Sequence, residues 1–532
     1  MTSQIKIPTG RMVAFLDIGT NSIRLLMVRI NPNQSYTILS QQKEVIRLGE
    51  GEFVHNLLQP EAMERAVLVC REFAEMARSY GAEEIMAVAT SAAREAKNQR
   101  DFLRRLQRSA QIDVRLVSGR EEARLIYLGV SSGVHLGDKK ALFIDIGGGS
   151  TEVIIGDQEQ YYVLDSLKLG AIRLTSLFFL PNESEPVASA RYALIQQFVR
   201  NAAVRTIQRV GDQQIDLAIG SSGTIQNLAD ISIYAANKRS RQRDDLLVYQ
   251  QLQETVKTLC ALPLQERKKI PGINPDRADI IIAGAAILDT LMQALGIKEL
   301  RISERGLREG LLVDYLSTSE HSQIVLGKTV RERSVLQLGR ACGFDEPHAR
   351  HVADLAMELF DSAREVHLHQ FNQQDRELCE YAALLHDVGT FLSYSNHQAH
   401  SYYLIRNSDL LGFDQTEIAI MANIGLFHRK WFPRRKKYPE FAALNKRSRR
   451  LVRQFSVLLR IAESLDRSHT GVVQHANLHK KDPKSILLKI QAAQEPQLEI
   501  WGVQNHRKTF RKAFGKKLAI EAEIASMEVK EV

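Results

Sequence analysis

Two stretches of the chain, FLDIGTNSIRLLMV at 15–28 and FIDIGGGSTEVIIG at 143–156, share one pattern: an apolar run, Asp, Ile, Gly, small or polar residues, then Ser and a second apolar run. Strand-forming runs on both sides make the intervening residues a tight hairpin turn. Gly147, Gly148 and Gly149 permit positive φ and admit close approach of another group to the backbone. Successive N–H groups exposed by such a turn form a concave anion site, to which Ser22 and Ser150 add hydroxyl donors. Asp17 and Asp145 then stand at its mouth, where a carboxylate beside bound phosphate is tolerated if it holds a cation or a water. Either copy alone is short enough to be an ordinary β-hairpin; recurrence in the same context argues that two turns grip one phosphate. The copies are not equivalent, because the first has Arg24 where the second has Glu152.

Further segments fit the same cleft. TSAAREAKN at 90–98 ends a strand and begins a helix, presenting Arg94 to phosphate oxygens. SGREEARLIYLGV at 118–130 opens a helix capped by Ser118, with Glu121 and Glu122 in its first turn. SSGT at 221–224 repeats the strand, tight turn and helix, and ISERGLREG at 302–310 sets Arg305, Arg308 and Glu309 beside glycines.

The elements that must carry these residues alternate strand-like and helical runs to about residue 135, and the pattern restarts near 139. Two duplicated α/β domains are expected, at 1–135 and 136–315. From about 316 to 475 the periodicity is helical, and SILLKIQAA, PQLEIWGVQ and KLAIEAEI predict a small α+β unit over 476–532. A length of 532 residues suits several domains. The longest apolar run, IIIAGAAIL at 280–288, is too short to cross a bilayer, and the amino terminus has no signal-peptide pattern, so a cytoplasmic protein without a membrane partner is expected. Cys70, Cys260, Cys342 and Cys379 lack metal-ligand spacing and read as reduced, mostly buried small hydrophobes.

The net charge of +9 is concentrated: the segment from His428 to Arg453 holds eleven Lys or Arg against Glu440 alone, with Trp431, Phe432 and Tyr438 interleaved. Such a patch is a polyanion-binding surface or a solvated basic face.

In their order along the chain, DIGTNSIRLL, SAAREA, SGREEARLIYLGV, DIGGGSTE, SSGT and GLREG resemble the exopolyphosphatase and guanosine pentaphosphate phosphohydrolase (Ppx/GppA) family. That family shares a duplicated actin-like (ribonuclease H-like) fold with sugar kinases, actin and 70-kDa heat-shock ATPases. The resemblance implies Mg²⁺-dependent hydrolysis of a terminal phosphoanhydride between the first two domains. It assigns Glu122 as the general base, with Glu121 as the neighbour it could be confused with, and Arg94 as the group that stabilises the transferring phosphoryl. It gives Mg²⁺ or its hydration shell to Asp145 and Glu152, with Asp17 on the facing turn. The backbones of Gly19, Thr20, Asn21 and Ser22 and of Gly147, Gly148, Gly149 and Ser150 would cradle the phosphate. Inorganic polyphosphate is the expected substrate and guanosine pentaphosphate the runner-up. A binding regulator with weak turnover is the reading from another class, disfavoured by the intact carboxylates. Members of the family commonly pair, so a homodimer is expected.

HARHVADLAMELF, LLHDVG and LLRIAESLDRSH resemble the pattern of HD-type phosphohydrolases, in which His, His–Asp and a late Asp converge on a metal. His348, His386 and Asp387 match; the late position is Glu463, with Asp466 one turn on, and His397, His400 and His428 are spare ligands. The alternative is a scaffold whose histidines are merely hydrogen-bonded. Arg434, Arg435, Lys436 and Lys437 are expected to track distal phosphates of a long chain, ahead of nucleic acid, for which no binding module is recognisable.

Overall fold

The computed structural model describes residues 10–524 except 182, 319–323, 325–326 and 430–431. The chain divides into two compact units, the division falling between Val330 and Arg331. No helix among the described residues is long and apolar enough to cross a membrane, and the four cysteines are free.

The first unit contains the duplication. β1 (Arg11–Ile18), β2 (Ser22–Asn31), β3 (Ser35–Val45), β4 (Glu84–Ala89) and β5 (Val114–Leu116) form a sheet in the order β3-β2-β1-β4-β5. β6 (Ala141–Ile146), β7 (Thr151–Gly156), β8 (Tyr161–Leu167), β9 (Leu217–Ser221), β10 (Leu246–Val248) and β11 (Glu299–Ile302) form the second, β10-β11-β9-β6-β7-β8. Apart from β10 at one edge, the second order repeats the first. In both, the strand bearing the aspartate pairs antiparallel with its hairpin partner and parallel with the strand beyond. All six residues of β6 are buried, which is why its sequence is a continuous apolar run rather than an alternating one. The run at 280–288 enters the helix Ile281–Ala294, buried from Ile281 to Met292 in the second lobe's core.

Two helices exchange lobes. The helix Gly119–Ser131 follows β5, yet its Ala123, Ile126 and Val130 pack on Phe143 and Ile154 of the second sheet. The helix Leu307–Thr318 follows β11, yet its Leu311, Leu312 and Tyr315 pack on Val13, Phe15 and Val28 of the first. They cross so closely that a Cβ on Gly310 would lie 1.8 Å from the carbonyl oxygen of Leu125, and one on Gly129 2.0 Å from that of Gly306. Only glycine admits that approach. The boundary expected at 315/316 therefore falls inside a helix that completes the first lobe.

In the second unit, the helices include Glu346–Glu365, Gln373–Leu384, His397–Asn407, Gln415–Phe427 and Lys446–Leu465. β12 (Val473–Asp482), β13 (Ser485–Ala492) and β14 (Lys517–Ile524) follow as a sheet in the order β12-β13-β14, with the helices Gln497–Gln504 and Arg507–Phe514 between the last two strands. The boundary expected at 475/476 lies inside β12. One apolar core runs from Phe360 and Leu459 of the helices to Leu478, Leu488 and Phe510 of the terminal sheet and its helix.

Candidate active site

Each glycine turn is a short connection between buried strands, closed by the same bond: Gly19 N–H donates to the Ser22 carbonyl at 3.1 Å, and Gly147 N–H to that of Ser150 at 3.0 Å. The register places Asp17 opposite Arg24 and Asp145 opposite Glu152. Directly opposed residues share a sheet face, so each aspartate has a fixed companion, cationic in one lobe and acidic in the other.

The glycines serve close approach and not positive φ: none of Gly19, Gly147, Gly148 and Gly149 adopts it. A Cβ on Gly148 would lie 3.0 Å from the Thr20 side chain, and one on Gly149 2.5 Å from Ser91 Oγ and 2.9 Å from Thr20 Oγ1. The two turns thus meet, the second resting on Thr20 of the first. A cavity of about 100 Å³ lies between them, lined also by Asp17, Arg24, Glu122, Asp145 and Arg277.

Glu122 reaches the cavity because Ser118 caps its helix, accepting from Glu121 N–H at 3.2 Å. Its carboxylate accepts from Arg94 Nη1 at 2.8 Å, and the same nitrogen donates to the Val117 carbonyl at 2.8 Å. Burial pushes the Glu122 carboxyl up to about 7 against the opposing Arg94 charge. Glu121 pairs with Arg124 at 2.8 and 2.9 Å and does not line the cavity. Arg94, expected on the phosphate, holds Glu122 and lines a neighbouring cavity of about 610 Å³ with Arg120, Lys168 and Arg209.

Burial raises Asp17 to about 6, against Arg24 and Arg308. It raises Asp145 too, although Ser221 Oγ donates to that carboxylate at 2.5 Å. Glu152 is raised well above its usual range, first by burial and then by Glu122 and Asp145, and Ser166 Oγ donates to it at 2.8 Å. On the other side, burial and the Arg24 charge lower buried Arg277 to about 10, and burial with Arg277 and Arg24 lowers Lys43 to about 8. Acids pushed up and bases pushed down in one cleft are relieved together by a ligand that brings a cation to one side and an anion to the other.

The buried oxygens Asp17 Oδ1 and Asn21 Oδ1 have no hydrogen-bond partner, and the donors here are all oxygen, which suits Mg²⁺. Among the described residues, groups of three ligand atoms within 4.8 Å occur in the second unit and not in this cleft, so the fit is to a hydrated ion.

Sequence reasoning missed Arg277 and Lys43. Arg277 ends the short turn Pro275–Arg277, capped by Asn274, immediately before the apolar helix. The Asn-Pro-Asp turn was the available signal. Arg305 lines the same cavity, with its Nε donating to the Gly129 carbonyl at 3.1 Å, and Arg308 pairs with Glu309 at 2.7 Å.

In the second unit, His348, His386, Asp387 and Glu463 bring ligand atoms within 4.8 Å of one another, and Asp387, His397 and His428 form a second such group. His400 joins neither. Glu463 Oε2 lies 2.7 Å from His386 Nε2, and Asp466 sits behind His348, 2.7 Å from its Nδ1. Arg434, Arg435, Lys436 and Lys437 are exposed, and none is paired with a carboxylate among the described residues; Trp431 lies outside them.

Two lobes of one topology, each offering a glycine turn and an aspartate to a shared phosphate-sized cavity, define a duplicated actin-like fold of the phosphoryl-handling class. The chain belongs to the Ppx/GppA phosphatase family, whose model matches residues 27–319, with the family's domain III model matching 330–500. Among solved structures it is similar to an exopolyphosphatase from Cytophaga hutchinsonii, at 26% identity over 58% of this chain and 99% of that one, with a TM-score of 0.54. An exopolyphosphatase-like protein matches at 27% identity over 58% of this chain and 98% of its own, with a TM-score of 0.52. The PPX-GPPA enzyme of Aquifex aeolicus is 28% identical over 57% of this chain and 99% of its own, with a TM-score of 0.48.

Proposed function

We propose that this phosphatase is an exopolyphosphatase that hydrolyses the terminal phosphoanhydride of inorganic polyphosphate and releases orthophosphate. The observation that carries this reading is the cavity of about 100 Å³ lined at once by both phosphate turns and Glu122. A terminal phosphoryl group placed there lies against both turns and beside Glu122, the placement that attack by water on an end group requires.

Glu122 takes a proton from water as the water oxygen bonds to the terminal phosphorus. The bond from that phosphorus to the bridging oxygen breaks, and the shortened chain leaves with the electron pair. N–H groups of the two turns hold the equatorial oxygens, while Arg24 and Arg277 receive charge on the chain. Arg94 positions Glu122. Asp17, Asp145 and Glu152 would hold Mg²⁺ through its water shell, and the ion, when bound, supplies charge neutralisation at the phosphate oxygens.

The test is orthophosphate release from long polyphosphate and from guanosine pentaphosphate in parallel, by the wild type and Glu122→Gln. Dominant turnover on polyphosphate that falls by about 10² to 10⁴ in the variant is expected. Dominant turnover on the nucleotide would reassign the substrate, retained activity would move the base, and no turnover on either would favour a binding regulator.

A further inference from the structure

Removing an end phosphate makes two anions that have to part. In a displacement at phosphorus the attacking and leaving oxygens stand in line on opposite sides. With the water beside Glu122, the shortened chain lies away from it, toward Arg24 and Arg277, and orthophosphate forms against Glu122. The groups beyond Glu122 therefore determine whether phosphate has a way out that the chain does not block.

Beyond Glu122 stands Arg94, and beyond Arg94 the cavity of about 610 Å³. The side chain of Arg94 is 22% exposed and that of Glu122 9%, as suits the outer and inner members of one partition. Ser150, at the end of the second glycine turn, lines both cavities. Glu152 joins the same partition: it accepts from Ser166 Oγ, on the wall of the larger cavity, at 2.8 Å and has Ser150 as a second hydroxyl partner.

The larger cavity is cationic. Arg94, Arg120, Lys168 and Arg209 line it against Glu95 and Asp165. Both acids are satisfied already. Glu95 takes Arg173 at 2.7 Å as well as Lys168 at 2.9 Å, and Asp165 accepts from Thr206 Oγ1 at 2.8 Å as well as from Arg209. Arg120 is exposed and forms no ion pair among the described residues. Arg94 is balanced by Glu122 only while that carboxylate is ionised. Once Glu122 has taken the proton of the water, the four lining cations face two acids, and the excess of two matches doubly ionised orthophosphate.

We propose that this cavity is a second oxyanion site, which receives orthophosphate past Arg94 and passes it to solvent while the shortened chain stays on Arg24 and Arg277. The direction of travel rests on the exopolyphosphatase reading; the anion site does not. Arg94 positions the ionised base before cleavage and turns to the product after it. The proton on Glu122 then passes to solvent, and the recovered carboxylate takes Arg94 back.

The test separates cleavage from release in the full chain with Mg²⁺ and long polyphosphate. Acid quenching counts all orthophosphate formed, and a fluorescent phosphate-binding protein counts only what has left. In Arg120→Ala/Lys168→Ala, first-turnover cleavage should match the wild type while release slows by about threefold or more, so that unreleased phosphate accumulates. Equilibrium dialysis with inorganic phosphate, which needs no turnover, should find about one phosphate fewer per chain in the variant than in the wild type. Arg120→Glu, at an exposed and unpaired position, should show both effects and guards against a double variant that fails to fold. Equal phosphate binding by wild type and variants, release that keeps pace with cleavage in all of them, or slowed cleavage with unchanged release would overturn the proposal. If the wild type cleaves no polyphosphate, the exopolyphosphatase reading falls and with it the direction of travel, while the dialysis still decides the anion site.

Discussion

Arg94 Nη1 stands 2.8 Å from Glu122 Oε2, so the guanidinium that the sequence pointed at the phosphate is bonded to the carboxylate assigned to the water. Burial holds that carboxylate up at about 7, and Arg94 is the largest influence opposing the rise. The proposed base acts deprotonated, so kcat/KM for polyphosphate should fall as pH drops through about 7. Arg94→Ala removes the opposing charge; the limb should move to higher pH, with activity at pH 7 lower by about tenfold or more. A pH profile of both proteins checks this, and an unshifted limb would assign Arg94 to phosphate alone.

The hairpins were legible because they are local. In a two-strand turn the register follows from the loop length, so the contrast of Arg24 with Glu152 in sequence became the pairs Asp17 with Arg24 and Asp145 with Glu152. The Ser118 cap was legible for the same reason. The exchange of the helices Gly119–Ser131 and Leu307–Thr318 was not, since the partner of an amphipathic face is a tertiary fact. Arg277 stayed hidden because 132 residues separate it from Asp145, whose charge it faces. Which acid completes the late position of the HD-type pattern was ambiguous because Glu463 and Asp466 lie one turn apart on one face; the fold sets both against histidines, Glu463 on His386 and Asp466 on His348.

The helix crossing should be intolerant of a single methyl group. Gly310→Ala would drive Cβ into the Leu125 carbonyl, 1.8 Å away and one turn beyond Glu122. A loss of about 1–3 kcal/mol is expected, with turnover falling alongside as the base shifts. Gly211→Ala, at the end of the helix Ser189–Gly211 with nothing within 4 Å of its Cβ, should instead leave stability level or raise it slightly. Thermal unfolding of the pair, with wild type, separates packing from a general sensitivity to substitution.

Exposed charge in the second unit gives a prediction about chain length. Arg434, Arg435, Lys436 and Lys437 stand in solvent between the helices Gln415–Phe427 and Lys446–Leu465. Replacing all four with Ala should raise KM for long polyphosphate, flatten its dependence on salt, and spare a short chain. Equal loss on both substrates would remove these residues from polyanion binding.

Arg277 separates binding from stability. Its guanidinium is buried, and among the described residues its side chain donates one long hydrogen bond, to Thr224 Oγ1 at 3.4 Å. Burying a cation with so little compensation costs the empty protein, which is why its proton is held less tightly than usual. A phosphate chain in the cleft supplies the missing charge. Arg277→Ala should therefore leave the ligand-free melting temperature unchanged or higher, while KM for polyphosphate rises about tenfold or more and kcat changes less. Inorganic phosphate should raise the melting temperature of the wild type and have a smaller effect on the variant. If the variant melts lower without ligand and keeps its KM, Arg277 is part of the frame and the anion is held by the turns and Arg24.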